Sequence, residues 1–255
     1  MKISLVFSKT DPASRSMRGA LAESGLNGGV LGGFTLEVVE LDRELVYAQA
    51  EDLPEAYCYV FLSRHVGNRS CFTLHSTGNP GDEAKLGGSP RTLGVAAPLL
   101  SHALLKALTH SSPLPVVYEA THHGPTDIGR PCIFTEIGVS QADWTSADYA
   151  RHVVRSLMRA LTEYDPPTGR AACCFGGPHY ASRFTEYALT QGYCVGHIIS
   201  KHAIRPGDTW LVEAAVRRSE PQPTYALIDW DGLRGEQRRT VIEGVEALGL
   251  SVVKL

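Results

Sequence analysis

The 255-residue sequence lacks the patterns that mark membrane, secreted or strongly basic proteins. No apolar stretch approaches the ~20 residues of a membrane span, and the apolar run at residues 3–7 is too short for a signal peptide. A net charge of -3 provides no overall basic field, so any contact with nucleic acid must depend on a local patch. We therefore expect a soluble, cytoplasmic protein that does not associate with membranes.

Several chemical signatures are also missing. None of the six cysteines lies in a Cys-x-x-Cys pair, and Cys173 and Cys174 stand inside an apolar run. This pattern favours buried, reduced thiols over zinc thiolates. The Gly-x-Ser-x-Gly elbow of serine hydrolases, the His-Glu-x-x-His zinc motif and the Rossmann glycine fingerprint do not occur either. Any chemistry must therefore come from other residues.

Short apolar runs alternate with amphipathic stretches along the chain. Strands are predicted at residues 3–7, 34–40, 57–63, 71–75, 115–121, 131–138, 171–175, 193–199, 225–229 and 251–254. Helices are predicted at about residues 12–25, 95–109, 143–164, 180–191, 209–218 and 234–248. This alternation predicts an α/β fold of three layers, in which a mixed, mostly parallel sheet has helices on both faces.

The chain is long and apolar enough to form one large core. We predict a single domain over residues 1–255, with a loop-rich segment at about 64–94 and a flexible glycine-rich connection at 27–33. Asp11 and Pro12 are predicted to cap and begin the first helix. In such folds ligands bind at the carboxyl ends of strands, which is where most of the polar segments described next are predicted to lie.

The segment at residues 119–125 (Glu-Ala-Thr-His-His-Gly-Pro) carries the clearest chemical signal. It places His122 and His123 where a strand gives way to a loop, with Glu119 close by. Histidine transfers protons near neutral pH and binds zinc, so the segment predicts a metal site or a general base oriented by a carboxylate. Alternatively one ring caps the turn and the other is solvated, but the preference of catalytic groups for such loops favours function.

Glu136 is the second candidate, because it lies inside an otherwise apolar strand at residues 131–138. A buried carboxylate is costly unless it is paired or hydrogen-bonded. Its partner could be a neighbouring histidine or a metal. The competing interpretation is that the side chain points outward from an edge strand.

Three further polar segments follow other predicted strands. Residues 63–65 (Ser-Arg-His) offer Arg64 as a ligand for a phosphate or carboxylate. Residues 75–79 (His-Ser-Thr-Gly-Asn) form either a substrate-binding loop or an ordinary turn. Residues 176–180 (Gly-Gly-Pro-His-Tyr) precede a helix, so their amides could approach an anion, although a tight structural turn fits equally well.

Two features of the second half are more ambiguous. His197 is flanked by apolar residues and fits a core histidine, and Lys201 follows four residues later. Arg151, Arg155 and Arg159 recur every four residues on one predicted helix. We interpret them as a solvated helix face, while contact with a nucleic-acid backbone stays open.

Taken together, these segments resemble the archaeal and plant type of D-aminoacyl-tRNA deacylase. That family carries Ser-Arg-His, His-x-Thr-Gly-Asn, Ala-Thr-His-His-Gly-Pro, Glu-Ile-Gly and Gly-Gly-x-His-Tyr elements. Here they stand in the same order at residues 63–65, 75–79, 120–125, 136–138 and 176–180. The resemblance spans roughly residues 1–205.

The sequence departs from the family at two positions. Pro178 stands where the family usually has glycine, and Ser182 where it usually has proline. Pro178 removes one amide donor, which weakens the case for an anion cradle in this loop but leaves the role of His179 untouched.

The resemblance implies a fold like that of nucleoside phosphorylases and peptidyl-tRNA hydrolases. It also implies hydrolysis of the ester between tRNA and a D-amino acid, with glycine as a further candidate, and zinc as cofactor. The implied catalytic residues are His122, His123, His179, Glu136 and Glu119. The implied zinc ligands come from His122, His123, Glu136 and His75. The implied substrate-binding residues are Arg64, His65, His75, Thr77, Gly78, Asn79, Gly176, Gly177 and Lys201.

The hypothesis is therefore a zinc-dependent D-aminoacyl-tRNA deacylase that acts as a monomer or small homo-oligomer. Three alternatives to it stay open. A histidine could activate water without a metal. A nucleoside- or phosphate-using enzyme of the same fold would show phosphate-dependent turnover. A non-catalytic tRNA-binding protein would bind without turnover and would need a stronger positive face than a net charge of -3 suggests.

Overall fold

A computed structural model describes all 255 residues, Met1 to Leu255. The α-helices are α1 (Pro12–Glu23), α2 (Pro98–Thr109), α3 (Gln141–Trp144), α4 (Ala147–Thr162), α5 (Ser182–Gln191), α6 (Trp210–Arg217) and α7 (Gly235–Ala247). The strands of the first half are β1 (Lys2–Ser8), β2 (Gly29–Leu31), β3 (Phe34–Leu41), β4 (Cys58–Arg64), β5 (Phe72–His75), β6 (Gly78–Asn79), β7 (Thr92–Leu93), β8 (Val95–Ala96) and β9 (Val116–Tyr118). Those of the second half are β10 (Pro131–Ile137), β11 (Ala171–Phe175), β12 (Cys194–Ile199), β13 (Tyr225–Ile228) and β14 (Ser251–Lys254). None of the helices combines the length and the apolar character needed to cross a membrane.

The strands form two main sheets. The large sheet has eight strands in the order β2-β3-β1-β4-β10-β5-β9, with β8 paired to the start of β10. Its pairings are parallel except for β2 with β3 and β5 with β10. The small sheet, in the order β12-β11-β13-β14, is entirely parallel. The predicted mixed, mostly parallel α/β fold is confirmed, but the expectation of one continuous sheet is wrong.

Backbone hydrogen bonds join the two sheets where β9 ends. Ala120 N donates to His179 O, Ala181 N to Tyr118 O, and Thr121 N to Ile198 O, each at 2.8 Å. The segment that follows β9 therefore pairs with loops of the small sheet instead of extending the large one.

The two faces of the large sheet are covered differently. Side chains of α1, α2 and α4 pack on one face within a core of 39 buried residues that also reaches the small sheet. The other face is covered by the connection between β3 and β4, through Leu45, Ala48 and Leu53, which pack near Phe61 and Phe134. The large sheet therefore has α-helices on one face only, and the connection on its other face contains two short 3₁₀-helices, Leu45–Tyr47 and Ala50–Asp52. The small sheet has α-helices on both faces, because α6 and α7 pack on the face opposite the main core.

Local signals account for most element boundaries. The Asp11 carboxylate accepts from the amides of Ala13 (2.8 Å) and Ser14 (3.0 Å), so the predicted N-cap of α1 is confirmed. All six cysteines are buried and free, as expected. The loop-rich segment contains β5, β6 and β7.

Three predicted elements differ in the structure. The helix predicted over residues 143–164 divides into α3 and α4, because the Ser146 hydroxyl accepts from Tyr149 N and starts a new helix. The helix predicted from residue 95 begins at Pro98, after β8. Residues 27–33 are not a loose connection, since β2 forms an antiparallel hairpin with β3.

Candidate active site

A cavity of about 380 Å³ opens on the face of the large sheet that carries no α-helix. It lies over Phe134 and is bordered by Leu45 and Val46. Its lining includes four histidines and three carboxylates: His65, His122, His123, His179, Asp11, Glu44 and Glu136. The predicted site residues therefore meet on a sheet face, not only at the carboxyl ends of strands.

The two adjacent histidines point into the same space because of an unusual backbone conformation. In an extended strand neighbouring side chains point to opposite faces. His123 instead has φ 44°, a left-handed conformation that non-glycine residues rarely adopt. Its carbonyl oxygen accepts from Gly78 N at 2.7 Å. The ring centroids of His122 and His123 consequently lie 4.4 Å apart, and those of His75 and His122 lie 4.1 Å apart.

The three clustered histidines share one hydrogen-bond pattern. Nδ1 lies near a backbone carbonyl oxygen in each: 3.2 Å for His75 and Ser76, 2.8 Å for His122 and Ala120, and 2.6 Å for His123 and Gly124. A carbonyl can only accept, so each Nδ1 carries the hydrogen and each Nε2 is left available to a cation or a proton.

Burial keeps the rings of His122 and His123, the histidine doublet, uncharged. The pKa of His122 is lowered well below its usual value by burial and by the neighbouring His75 and His123. The pKa of His123 is lowered to about 4 by burial and by His75. Both rings are therefore neutral near pH 7, which is the state that binds a metal or accepts a proton.

Glu136 is held in a buried cluster by hydroxyl groups and imidazoles. Ser63 Oγ donates to Oε1 at 2.7 Å and Thr73 Oγ1 to Oε2 at 3.2 Å. His65 Nδ1 lies 3.6 Å from Oε2, and His75 Nε2 lies 3.8 Å from Oε1. Since β10 runs between β4 and β5, the interpretation that Glu136 points out of an edge strand is wrong.

His65 lies between two buried carboxylates. Its Nδ1 is 3.5 Å from Glu119 Oε2, on the side opposite a hydrogen bond of 3.0 Å from Nε2 to Tyr180 Oη. Burial alone would lower the pKa of His65, but Cys71, Glu119 and Glu136 raise it strongly. Burial likewise opposes ionisation of Glu136, but contacts with His65 and His75 lower the pKa of that carboxyl. We therefore describe His65 as an imidazolium between two carboxylates.

Glu119 is the least satisfied group of the site. It is 1% exposed, and neither carboxylate oxygen has a partner in hydrogen-bond geometry, although His179 Nε2 approaches Oε1 to 2.9 Å. Burial opposes its ionisation, yet His179 and His65 lower the pKa of the carboxyl. Buried acceptors without donors are costly, so this carboxylate fits a position beside a cation or a proton carrier.

Candidate metal ligands fall into overlapping groups. One ligand atom from each member of a group lies within 4.8 Å of the others in three sets: His75 with His122 and His123, Glu119 with His122 and His179, and His65 with Glu119 and Glu136. Because His65 is already committed to two carboxylates and Tyr180, the first two sets offer the better ligands.

Some predicted site residues shape the cavity without lining it. Thr77 Oγ1 contacts Cys132 Sγ at 3.4 Å, and Asn79 Nδ2 donates to Gly87 O at 2.8 Å. Together with the bond from Gly78 N to His123, these contacts hold the histidine turn and the neighbouring loop. We assign Thr77, Gly78 and Asn79 to support of the site.

The glycine loop lies farther from the cavity than expected. Gly176 N donates to Ile199 O at 2.8 Å, so it is not free for an oxyanion, and Gly177 O accepts from Lys201 N at 3.1 Å. Neither glycine lines the cavity, whereas His179 from the same loop does. His197 is a core histidine, 3.1 Å from Thr121 Oγ1 and fully buried, as its apolar neighbours suggested.

Arg64 lies at the cavity but already has carboxylate partners. Its guanidinium is 2.6 Å from Glu44 Oε1 and 3.8 Å from Asp11 Oδ2. A substrate phosphate would have to compete with both. The predicted role of Arg64 as an anion ligand is thus less favoured by the geometry than its role in ordering Glu44.

Sequence reasoning missed Tyr180, Ser63 and Thr73 as partners of the buried charges. Tyr180 Oη also accepts from Asn68 N at 3.3 Å, and its ring supports the Arg69 guanidinium at 4.5 Å. Ser63 and Tyr180 belong to the polar segments quoted above, but only the folded chain shows which charges they contact.

Gly124 allows the histidine turn to pack against two other segments. A Cβ atom at this position would lie 2.5 Å from Gly87 C and Gly88 N and 2.6 Å from Val46 O, all backbone atoms. We expect Gly124→Ala to lower the free energy of unfolding by about 1–3 kcal/mol and to reduce turnover by displacing the histidines. Gly81→Ala is the matched control, since nothing lies within 4 Å of its Cβ position. Equal thermal unfolding temperatures for the two variants would contradict this account.

The fold and the site define an α/β protein with a buried histidine–carboxylate cluster beneath an open cavity. The sequence profile of the family described as D-aminoacyl-tRNA deacylase matches residues 53–253. A D-aminoacyl-tRNA deacylase of Ignicoccus hospitalis is 36% identical over 99% of both chains, and one of Aeropyrum pernix is 33% identical over 99% of both. The chain belongs to the D-aminoacyl-tRNA deacylase family.

Structural similarity agrees with this assignment. A crystal structure of a conserved protein of unknown function aligns with a TM-score of 0.87 and 28% identity, over 100% of this chain and 95% of that one. The deacylase of Methanocaldococcus jannaschii is 30% identical over 98% of both chains. The resemblance inferred from the polar segments is therefore confirmed at the level of the family.

Proposed function

We propose that this protein hydrolyses the ester bond between tRNA and a D-amino acid, releasing both. The observation that carries the proposal is the pair of neutral rings, His122 and His123, close to the buried Glu119 carboxylate and next to a cavity of about 380 Å³. Its family and its full-length relatives supply the substrate class. Glycine esterified to tRNA is a second candidate substrate.

The acidic lining suits an aminoacyl ester. Such a substrate carries a free α-amino group that is cationic in its protonated form, whereas a peptidyl ester does not. Glu44 and Asp11 border the cavity beside Arg64, and Glu136 lies deeper. Arg64 and His65 offset part of this charge, and the three lining carboxylates outnumber these two cations. The balance favours a ligand with a positive group near the scissile bond.

The donor set fits a zinc ion. His75, His122 and His123 supply three imidazoles whose Nδ1 atoms are fixed by carbonyls. Glu119 belongs to a second group, with His122 and His179, that shares only His122 with the first. Three protein ligands are typical of a catalytic zinc site. When bound there, zinc would acidify water and polarise the ester carbonyl. Glu136 Oε1 lies 3.8 Å from His75 Nε2, so this carboxylate is on the side of the ring that would hold zinc.

His179 is positioned to move protons at the cavity mouth. Its Nε2 faces Glu119 at 2.9 Å, which leaves Nδ1 to take a proton from the attacking water. The water oxygen forms a bond to the ester carbon, and the bond to the ribose oxygen breaks. The same imidazole returns the proton to that oxygen. His65 and Tyr180 act behind Glu119 and Glu136 by fixing where these carboxylates lie.

Several finer expectations stay predictions. They comprise the kinship with peptidyl-tRNA hydrolases and nucleoside phosphorylases, the cytoplasmic location, and the monomeric or small homo-oligomeric state. The direct activation of water by a histidine without metal is the main mechanistic alternative.

A deacylation assay with D- and L-aminoacyl-tRNA, with and without a chelator, tests reaction, chirality and metal together. We expect turnover of the D-ester only, a loss of roughly a hundredfold or more after chelation, and recovery on adding zinc. Full turnover in verified metal-free protein would favour the histidine-only mechanism. Turnover that depends on phosphate, or tRNA binding with no turnover of either ester, would refute the proposed activity.

A further inference from the structure

A group of cations without carboxylate partners surrounds one edge of the small sheet. Thirteen of the 24 lysine and arginine side chains make ion pairs with carboxylates, which leaves 11 without such a partner. Five of these lie in the last residue of β14 or in the segments that follow β12 and β13. Two of the five contact Trp230, and we call the group the Trp230 cluster: Lys201, Arg234, Arg238, Arg239 and Lys254.

The cluster is ordered by contacts with Trp230. The guanidinium of Arg238 lies 5.0 Å from the centre of the indole ring, and Lys254 Nζ lies 3.9 Å from it. Arg238 Nε also donates to the carbonyl oxygen of Trp230 at 2.7 Å. Cations held over an aromatic ring lose less conformational freedom when an anion binds.

The remaining members are tied to the same place through α7. Arg234 is the N-cap of α7 and Arg239 lies in its second turn. Gln237 Nε2 donates to Lys201 O at 2.7 Å, which joins the end of β12 to this helix. The partial positive charge at the start of α7 adds to the field of these side chains.

Local acids do not neutralise the cluster. The carboxylates at this edge are Asp229, Asp231, Glu236 and Glu243. Asp229 is buried and already paired with Arg183. The five cations therefore face three uncommitted carboxylates, in a chain whose net charge is -3.

The backbone of one cluster member, Lys201, is hydrogen-bonded to the loop that carries His179 to the cavity. Gly177 O accepts from Lys201 N, and two residues later His179 reaches Glu119 at the cavity mouth. Two residues of extended chain span at most ~7 Å. A polymer whose end enters the cavity can therefore lie across this edge.

The arginine stripe on α4 is a weaker candidate. Arg151 pairs with Glu23 and Asp148, and Arg159 pairs with Glu163. Only Arg155 of the stripe has no carboxylate partner, so the charge of that face is largely neutralised.

We propose that the Trp230 cluster binds the ribose-phosphate backbone of tRNA next to the ester that enters the cavity. Lysine and arginine bind phosphates by releasing counterions, and an adjacent aromatic ring suits single-stranded nucleotides. The inference rests on the proposed function only in naming tRNA as the polyanion. It explains how a protein without an overall basic field holds a nucleic acid.

Binding of deacylated tRNA to a double charge reversal tests this surface. The test variant is Arg239→Glu with Lys254→Glu. The control is Lys106→Glu with Arg155→Glu, which changes the net charge equally at two other exposed cations without carboxylate partners. Binding is measured by fluorescence anisotropy between about 50 and 200 mM salt. We expect the affinity of the test variant to fall at least about tenfold, and the slope of log K against log salt to decrease in magnitude by about 1.4 to 1.8. The control should change affinity less than about twofold.

Two results would refute the proposal that the cluster binds tRNA. One is a test variant with the Kd and salt slope of the parent protein. The other is a control variant that weakens binding as much as the test variant does. Because deacylated tRNA has no ester, the measurement is independent of turnover. If the protein binds tRNA through the cluster but hydrolyses no D-aminoacyl ester, the proposed activity is refuted and the proposed tRNA-binding surface is not. Thermal unfolding confirms that each variant is folded. If the double variant does not fold, Lys254→Gln alone should lower the salt slope by about 0.7 to 0.9, and an unchanged slope would refute the proposal.

Discussion

Replacing His122 or His123 with alanine is expected to lower kcat/KM for D-aminoacyl-tRNA by roughly 10²–10⁴-fold while leaving the protein folded. The physical reason is that both rings are neutral, fixed at Nδ1 by a carbonyl, and packed 4.4 Å apart beside the unpartnered Glu119. Loss of either ring removes a metal ligand or a proton acceptor that no neighbour can replace. The measurement is steady-state deacylation together with the zinc content of each purified variant.

His110→Ala is the matched control for these two variants. His110 is exposed and lies at the end of α2, outside the cavity lining. It should keep the parent's turnover and zinc content. If zinc falls together with activity, the doublet binds the metal. If zinc is retained while activity falls, the doublet serves as a base. If both variants keep nearly the turnover of the parent protein, His122 and His123 have no part in the mechanism.

Replacing Glu136 with alanine is expected to lower the free energy of unfolding by about 3–5 kcal/mol. The substitution leaves His65 with one carboxylate instead of two and deprives the hydroxyls of Ser63 and Thr73 of their acceptor. Unfolding by urea in the presence of a chelator measures the effect without a contribution from bound metal. Glu136→Gln, which keeps the shape and an acceptor, should lose less.

The effect of Glu136→Ala should depend on pH in a defined direction. Folding lowers the pKa of Glu136, so its ionised form stabilises the native state above the usual pKa near 4.5 and loses that effect as the pH falls. The difference in stability between the parent and Glu136→Ala should therefore be large at pH 6 and should shrink in acid below about pH 4.5. A difference that stays constant with pH would show that packing, not charge, accounts for the loss.

Elements set by local chemistry could be predicted from the sequence. The Asp11 cap and the buried strands such as β4 and β11 depend on residues that are neighbours in the chain. The division of the strands into two sheets could not be predicted, because it depends on which backbone groups pair after β9. The apolar periodicity continues past Ser146 and so predicts one helix, whereas the Ser146 cap starts a second one.

The same distinction applies to the site. The residue types of the cluster were visible because histidines and glutamates stood out among apolar residues. Their pairing was not, because the contacts of His65 with Glu119, Glu136 and Tyr180 join distant parts of the chain. The placement of Gly176 and Gly177 was also beyond sequence reasoning, since an amide hydrogen bond to Ile199 decides whether the loop can receive an anion.

The left-handed backbone at His123 has a consequence for protein engineering. Glycine adopts φ near 44° at little cost, whereas a residue with a Cβ atom is strained there. The same substitution would remove a buried ring that packs against Phe134, so its two effects on stability oppose each other. It would also remove one of the two rings that face the cavity. Engineering for stability should therefore leave position 123 unchanged and seek gains away from the histidine turn.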